Sequence, residues 1–395
     1  MSRNAERIEV GRRVLFQNYR QPDFVLVEGR GIRVRDADGN EYLDLIAGIA
    51  TCGLGHCHPK VVAAVQAQAE RLWHVSNLFW NEPNIRLAER LVGASFADRA
   101  FFCNSGAEAN EAAIKLARRY HHDLGTGRYE IVSFEGGFHG RTLGALSATA
   151  RPAYHEGFGP LPEGFVYAPY GDPDALHKVM GARTAAVLLE PLQGEGGLIE
   201  PPPGYLEAVR AACDAHGALM ILDEVQSGMG RTGKLWAYEW EGIEPDIMSS
   251  AKALGNGFPI GAVLAREEVA AAFVPGTHAS TYGGGPLASS AALAVLEVLL
   301  DEGGLEQGRR AAAHLWRRLE TWRGRGPVAG LRGKGLWVGI VAPGEAKALN
   351  ARAREAGVLL NAIGEDVVRM TPPLTVDLSD LDLALDRLEA AWGLA

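Results

Sequence analysis

From about residue 99 the chain alternates short, almost wholly apolar runs with longer runs whose apolar positions recur every three or four residues. AFFCN, YEIVSF, TAAVLLEP, ALMILDEV, DIMSS and IGAVLA read as buried strands, with the helical patterns EANEAAIKLARRY and GYLEAVRAACDAHG among them. Strands apolar on both faces and interleaved with helices predict a largely parallel sheet covered on both sides. After about residue 284 the rhythm changes. LASSAALAVLEVLL predicts a long helix, GKGLWVGIV and VVRMTPPL strands, and AKALNARAREAG and LSDLDLALDRLEAAW helices, which together make a smaller α+β unit.

Upstream, GIRVRDADGNEYLDL places apolar runs on either side of an Asp-Gly turn and predicts a hairpin. HPKVVAAVQAQAERL opens a helix with Pro59 near its first position. The expected division is an N-terminal segment, 1–50, against the small domain, a large α/β domain over 51–284, and a small α+β domain over 285–395.

Composition narrows the function classes. A length of 395 residues buries a large core, and 47% hydrophobic with 22% charged residues is ordinary for a globular protein. A net charge of −9 gives no electrostatic footprint for nucleic acid, and the arginine-dense WRRLETWRGR reads as a solvated helix face. No apolar run approaches a membrane span, and the N-terminus shows no targeting pattern, so a cytoplasmic protein without membrane partners is expected. The four cysteines fit a reducing compartment. CGLGHCH gathers two Cys and two His, but no partner cluster elsewhere supports a metal site, and none is expected.

Three stretches carry candidate chemistry. In FFCNSGAEANEAAIKL a strand turns into a helix at Ser105, Gly106 and Ala107. Ser105 and Glu108 fit a capping box, and the same first-turn amides would suit an anion. GMGRTGK matches a dinucleotide fingerprint and most of a phosphate loop, yet Leu235 stands where the loop needs Ser or Thr. ALMILDEVQSG ends an apolar strand on Asp223, a carboxylate costly to bury without a cation. Lys252, in SSAKALGNGFPIG, has only small or uncharged neighbours. Together, Asp223 and Lys252 point to pyridoxal phosphate, held by a lysine Schiff base and an acidic partner for the ring nitrogen.

The ordered strings NSGAEANEAAIKLARR, FHGRT, EPLQGEGG, LDEVQSGMGRTGK, SSAKALGNGFPIGA and STYGGGPLA resemble the class III (ornithine-type) aminotransferases. The likeness runs from GHCHP to VRMTPPL. It implies the fold type I of pyridoxal-phosphate transferases, with a seven-stranded, mostly parallel sheet domain and a small α+β domain. It also implies a homodimer with shared active sites. By this resemblance Lys252 and Asp223 are catalytic, and Ser105, Gly106 and Ala107 hold the phosphate. Phe138 and Val225 flank the ring, Gln226 bonds its hydroxyl, and Thr281 reaches the phosphate of a neighbouring subunit.

On the substrate side the resemblance gives Arg141 the carboxylate distant from the reacting carbon and Arg369 the α-carboxylate of the oxoacid. Glu195 covers Arg369 when the donor presents an amine instead. Ile49 stands where ornithine δ-aminotransferases carry tyrosine, so an acylated donor is expected. By the same resemblance the expected donor is N2-acetylornithine with 2-oxoglutarate as acceptor, a step of arginine biosynthesis. Succinylornithine, 4-aminobutyrate, ornithine or carrier-bound lysine are the sibling donors. Two departures from the family pattern stand out: ATCGLGH where AVNALGH is usual, and Asn256 where a glycine is common. The competing readings are a nucleotide-dependent enzyme built on GMGRTG and a non-catalytic binding protein on the same fold.

Overall fold

The computed structural model describes residues 2–394. Its largest sheet has seven strands, which in chain order are β1 (Arg99–Cys103), β2 (Glu130–Phe134), β3 (Phe165–Ala168), β4 (Thr184–Leu189), β5 (Leu219–Asp223), β6 (Ile247–Ser250) and β7 (Gly261–Ala265). Their spatial order is β1-β7-β6-β5-β4-β2-β3. Six strands run the same way, and β7 alone is reversed, pairing antiparallel with both β1 and β6. Every residue of β4, β5, β6 and β7 is buried, which is why each reads as an unbroken apolar run rather than an alternation.

Six of these strands match the sequence expectation. The seventh, β3, lies at the sheet edge, where Tyr167 is 39% exposed and the apolar signal is diluted. The helix Glu82–Val92 also went unread; Asn81 caps it by accepting the Asn84 amide at 2.9 Å.

Two four-stranded sheets complete the chain. One joins Leu26–Arg30, Arg33–Asp36 and Glu41–Asp44, the expected hairpin and its neighbour, to Val358–Leu359 near the other end of the chain. In the other, GKGLWVGIV proves to be two strands rather than one. Gly330–Lys334 and Trp337–Val341 form a hairpin around Gly335, whose φ of 65° permits the reversal. WRRLETWRGR is also corrected. Arg318 does not simply face solvent but bridges the helix Gly304–Glu320 to Leu378–Trp392 through Asp382, Asp386 and Glu389.

The parallel strands bring their carboxyl ends to one edge of the large sheet, where open α/β sheets place their sites. Just beyond β1 come Ser105 to Ala107, beyond β2 Phe138 to Arg141, and beyond β4 Glu190. Asp223 closes β5 and Lys252 follows β6.

Candidate active site

These segments enclose a cavity of about 450 Å³ lined by Ser105, Gly106, Ala107, Phe138, Arg141, Asp223, Val225, Gln226 and Lys252, nine of the expected site residues, together with Asn110, His139 and Glu190. No other lysine lines it.

Asp223 is buried and held from three sides. Its Oδ2 accepts the Asn110 side-chain amide at 2.7 Å and His139 Nδ1 at 2.8 Å, and its Oδ1 accepts the Val225 amide at 3.0 Å. Asn110 is fixed in turn: it donates to the His139 carbonyl at 2.8 Å and accepts from Ser249 Oγ at 2.7 Å. Glu190 lines the same cavity and accepts the Phe138 and Gly194 amides at 2.9 Å each. Burial pushes its carboxyl up from the ordinary range. Burial likewise drives the Lys252 amine down, and the opposing charges of Glu195 and Asp223 do not restore it. The lysine is therefore biased toward the neutral, nucleophilic form.

The start of the helix Gly106–Asp123 forms half of the capping box, with the return bond displaced by one residue to Asn104. Ser105 Oγ accepts the Glu108 amide at 3.2 Å, while Glu108 reaches back to the Asn104 amide at 2.7 Å. The Gly106 and Ala107 amides are left for an anion, with the helix dipole behind them. A side chain at Gly106 would sit 2.7 Å from Val225 Cγ1, so the glycine is required for the close approach of the two walls.

Behind Gln226, outside the cavity lining, Arg369 is fully buried. Its Nη1 donates to Glu195 at 2.5 Å and to Gln226 Oε1 at 3.1 Å, and its Nη2 donates to Asn361 at 2.7 Å. Burial pushes the Glu195 carboxyl up, but the charge and hydrogen bond of Arg369 outweigh this and hold it below its usual range. With Gln226 Oε1 engaged, its amide nitrogen remains as a donor. Arg141 has no carboxylate partner among the described residues; its guanidinium lies 3.8 Å from the Tyr154 ring centroid and 5.5 Å from that of Phe138.

Four expected residues do not line the cavity: Glu195 and Arg369, bonded to each other behind Gln226, and Thr281 and Ile49. Thr281 is exposed and lines a separate cavity with Ser76, Asn77 and Trp80. Ile49 is 39% exposed and does not line the Lys252 cavity, although Thr51 does. It belongs to a stretch, Ala47 to Ala50, in which all four residues have φ between 46° and 63°. A left-handed β-branched residue is strained, so this stretch depends on outside ties.

The nucleotide reading of GMGRTGK fails on geometry. No helix opens there; the segment is a buried turn, and Arg231 donates to the carbonyls of Leu336 and Pro372 at 3.0 and 2.6 Å. A side chain at Gly228 would meet the Glu224 carbonyl at 2.7 Å, so that glycine serves packing. In CGLGHCH, His56 is bonded to Asp44 at 2.7 Å. Sequence reasoning missed the roles of Asn110, His139, Glu190 and Tyr154. Only Asn110 left a signal, as a polar residue among the alanines at the start of a helix's buried face.

Comparison with known proteins places the chain. The family model described as aminotransferase class-III matches residues 15–392. An acetylornithine aminotransferase of Myxococcus xanthus is 51% identical over 379 residues, covering 95% of this chain and 94% of that one. Among solved structures, the N-acetylornithine aminotransferase from Stenotrophomonas maltophilia K279a is 39% identical with a TM-score of 0.84, covering 98% of each chain. The ornithine aminotransferase from Toxoplasma gondii, whose structure has partial occupancy of pyridoxal phosphate at the active site, is 33% identical with a TM-score of 0.95, covering 99% of this chain and 94% of that one. The backbone is thus shared by enzymes named for different donors, and specificity must rest on side chains. The chain belongs to the class III aminotransferases.

Proposed function

We propose that the protein binds pyridoxal phosphate and moves the terminal amino group of N2-acetylornithine to 2-oxoglutarate, giving N-acetylglutamate 5-semialdehyde and glutamate, a step of arginine biosynthesis in the cytoplasm. The residues present fit the cofactor. Free helix-start amides suit its phosphate, Phe138 and Val225 suit its ring faces, the Gln226 amide suits its hydroxyl, and a fixed carboxylate at Asp223 suits its ring nitrogen. When bound, the group supplies an aldehyde for amine exchange and an electron sink for the carbanion formed beside it.

The chain's own residues do the rest. Lys252 offers an amine that burial shifts toward the neutral form and then carries a proton to and from the reacting carbon. His139 and Asn110 hold Asp223 in one orientation as a charged acceptor. Phe138 and Val225 exclude water from the reacting face. Arg141, pressed against two aromatic rings, keeps its polar edge for the carboxylate of the donor.

The single observation that carries the reading is the Glu195–Arg369 pair, 2.5 Å long and bonded through Arg369 to Gln226 of the cavity lining. A donor whose reacting end bears only an amine leaves Arg369 with no carboxylate to bind, and Glu195 neutralises it. 2-Oxoglutarate brings its own carboxylate, and Glu195 must then swing out; at 25% exposure its side chain has the room. Glu195→Gln should slow the acetylornithine half-reaction about tenfold, about 1.4 kcal/mol, while leaving the glutamate half-reaction within about twofold. Single-turnover rates of the two halves measure this, and equal losses would remove the switch.

A panel of acetylornithine, succinylornithine, ornithine, 4-aminobutyrate and lysine, each with 2-oxoglutarate, tests the substrate. Acetylornithine should give the highest kcat/KM, and a preference for free ornithine would sink the reading taken from Ile49. A homodimer with Thr281 serving the partner's phosphate site belongs to the same proposal. It is supported by the exposed position of Thr281 beside the exposed apolar residues Leu78, Phe79 and Trp80. Sedimentation of the protein at micromolar concentration as a 42.2 kDa monomer would refute it.

A further inference from the structure

We infer that Asn256 is a positioning residue that clamps the segment Thr51–Gly55, whose Thr51 lines the pocket, to the turn carrying Lys252, and that it thereby sets the affinity for the amine donor. This rests on the donor reading above and deepens it.

The stretch Ala47 to Ala50, which leads into Thr51 of the pocket lining, takes a backbone conformation that L-residues adopt at a cost, so it must be held from both ends. Its start is secured by Asp44, whose Oδ1 accepts the Ile46 and Ala47 amides at 2.9 Å each, and by Thr371, whose hydroxyl donates to the Ile46 carbonyl at 2.7 Å. Its far end runs through Thr51 to the turn at Gly53–Gly55, and there Asn256 acts. The Asn256 Oδ1 accepts the Leu54 amide at 2.7 Å, and its Nδ2 donates to the Gly55 carbonyl at 3.1 Å.

Both bonds come from one side chain on the turn that begins at Lys252, so the catalytic amine and the segment that follows Thr51 share a rigid link. The surfaces meet closely. A side chain at Gly53 would lie 2.9 Å from Ala253 Cβ, and one at Gly257 would lie 3.5 Å from Cys52 Sγ. The same turn is tied on its other side, where Gly53 and Leu54 accept from the Leu374 amide and Thr375 Oγ1 at 2.7 and 2.9 Å. Asn256 stands where the family commonly has glycine. Its φ of 47° suits glycine, and among other residues asparagine tolerates it best. The amide therefore replaces a residue that has no side chain to bond that segment, and it takes on both the donor and the acceptor task.

Asn256→Gly keeps the turn's backbone and removes the clamp. Asn256→Asp keeps the acceptor for Leu54 but sets a carboxylate oxygen against the Gly55 carbonyl. In protein loaded with pyridoxal phosphate, KM for acetylornithine should rise about tenfold in the glycine variant and by less in the aspartate variant, with kcat within about twofold in both. Hydrogen exchange at the Leu54 amide should accelerate in the glycine variant, and this readout needs no substrate. Unchanged exchange together with an unchanged KM overturns the clamp. A fall in kcat as large as the rise in KM overturns the assignment to donor affinity. Faster exchange in a protein whose wild type does not use acetylornithine would sink the donor reading and retain the clamp.

Discussion

Lys252→Ala lowers kcat by about a thousandfold or more, about 4 kcal/mol of barrier, while the protein still folds and binds pyridoxal phosphate. The size follows from the position. Lys252 is the one lysine lining the cavity, it leaves β6 with φ of 47°, and burial drives its amine toward the uncharged state. No neighbouring amine can take over either the exchange with the incoming amino group or the proton transfer at the reacting carbon. Incubation with pyridoxal phosphate followed by borohydride should add the cofactor's mass covalently to the wild-type peptide containing Lys252 and leave the variant unlabelled. A small primary amine in the buffer should restore part of the proton-transfer rate. Undiminished turnover, or a label on another lysine of the active variant, would remove Lys252 from the chemistry.

What could be read in advance follows from the range of the forces. The buried strands announced themselves because both faces of the large sheet are covered, so that β4 and β5 lack polar interruption. The site's position at their carboxyl ends followed from parallel topology. The helix start at Ser105 was legible because capping is local. The polar groups around Asp223 were not. Asn110, His139 and Glu190 come from three separate strand–helix turns, and no spacing rule joins them. The Glu195–Arg369 pair likewise joins the turn after β4 to a strand of a small sheet, and only the family resemblance connected them in the sequence. GMGRTGK shows the opposite failure. Its glycines are explained by contacts with Glu224, Trp236 and Leu374 rather than by a phosphate, a distinction that exists only in three dimensions.

Asp223→Asn should be the second most damaging change, with kcat falling about a hundredfold to a thousandfold. A carboxylate offers about four acceptor positions, and three are filled by Asn110, His139 and Val225. The remaining one is available to a protonated ring nitrogen, and the full negative charge is what keeps that proton in place. Asparagine keeps the shape but not the charge. It also turns an NH₂ group either toward the Asn110 and His139 donors or toward the Val225 amide, leaving buried donors opposed at about 1–3 kcal/mol each. The loss should therefore show as a slower proton-abstraction step in single-turnover experiments, accompanied by a lower unfolding temperature. Asn110→Ala, which removes one donor and leaves the charge, should show the stability loss with a smaller rate loss. If Asp223→Asn turned over at the wild-type rate while Asn110→Ala did not, the carboxylate would be a structural anchor for the helix rather than the partner of the ring.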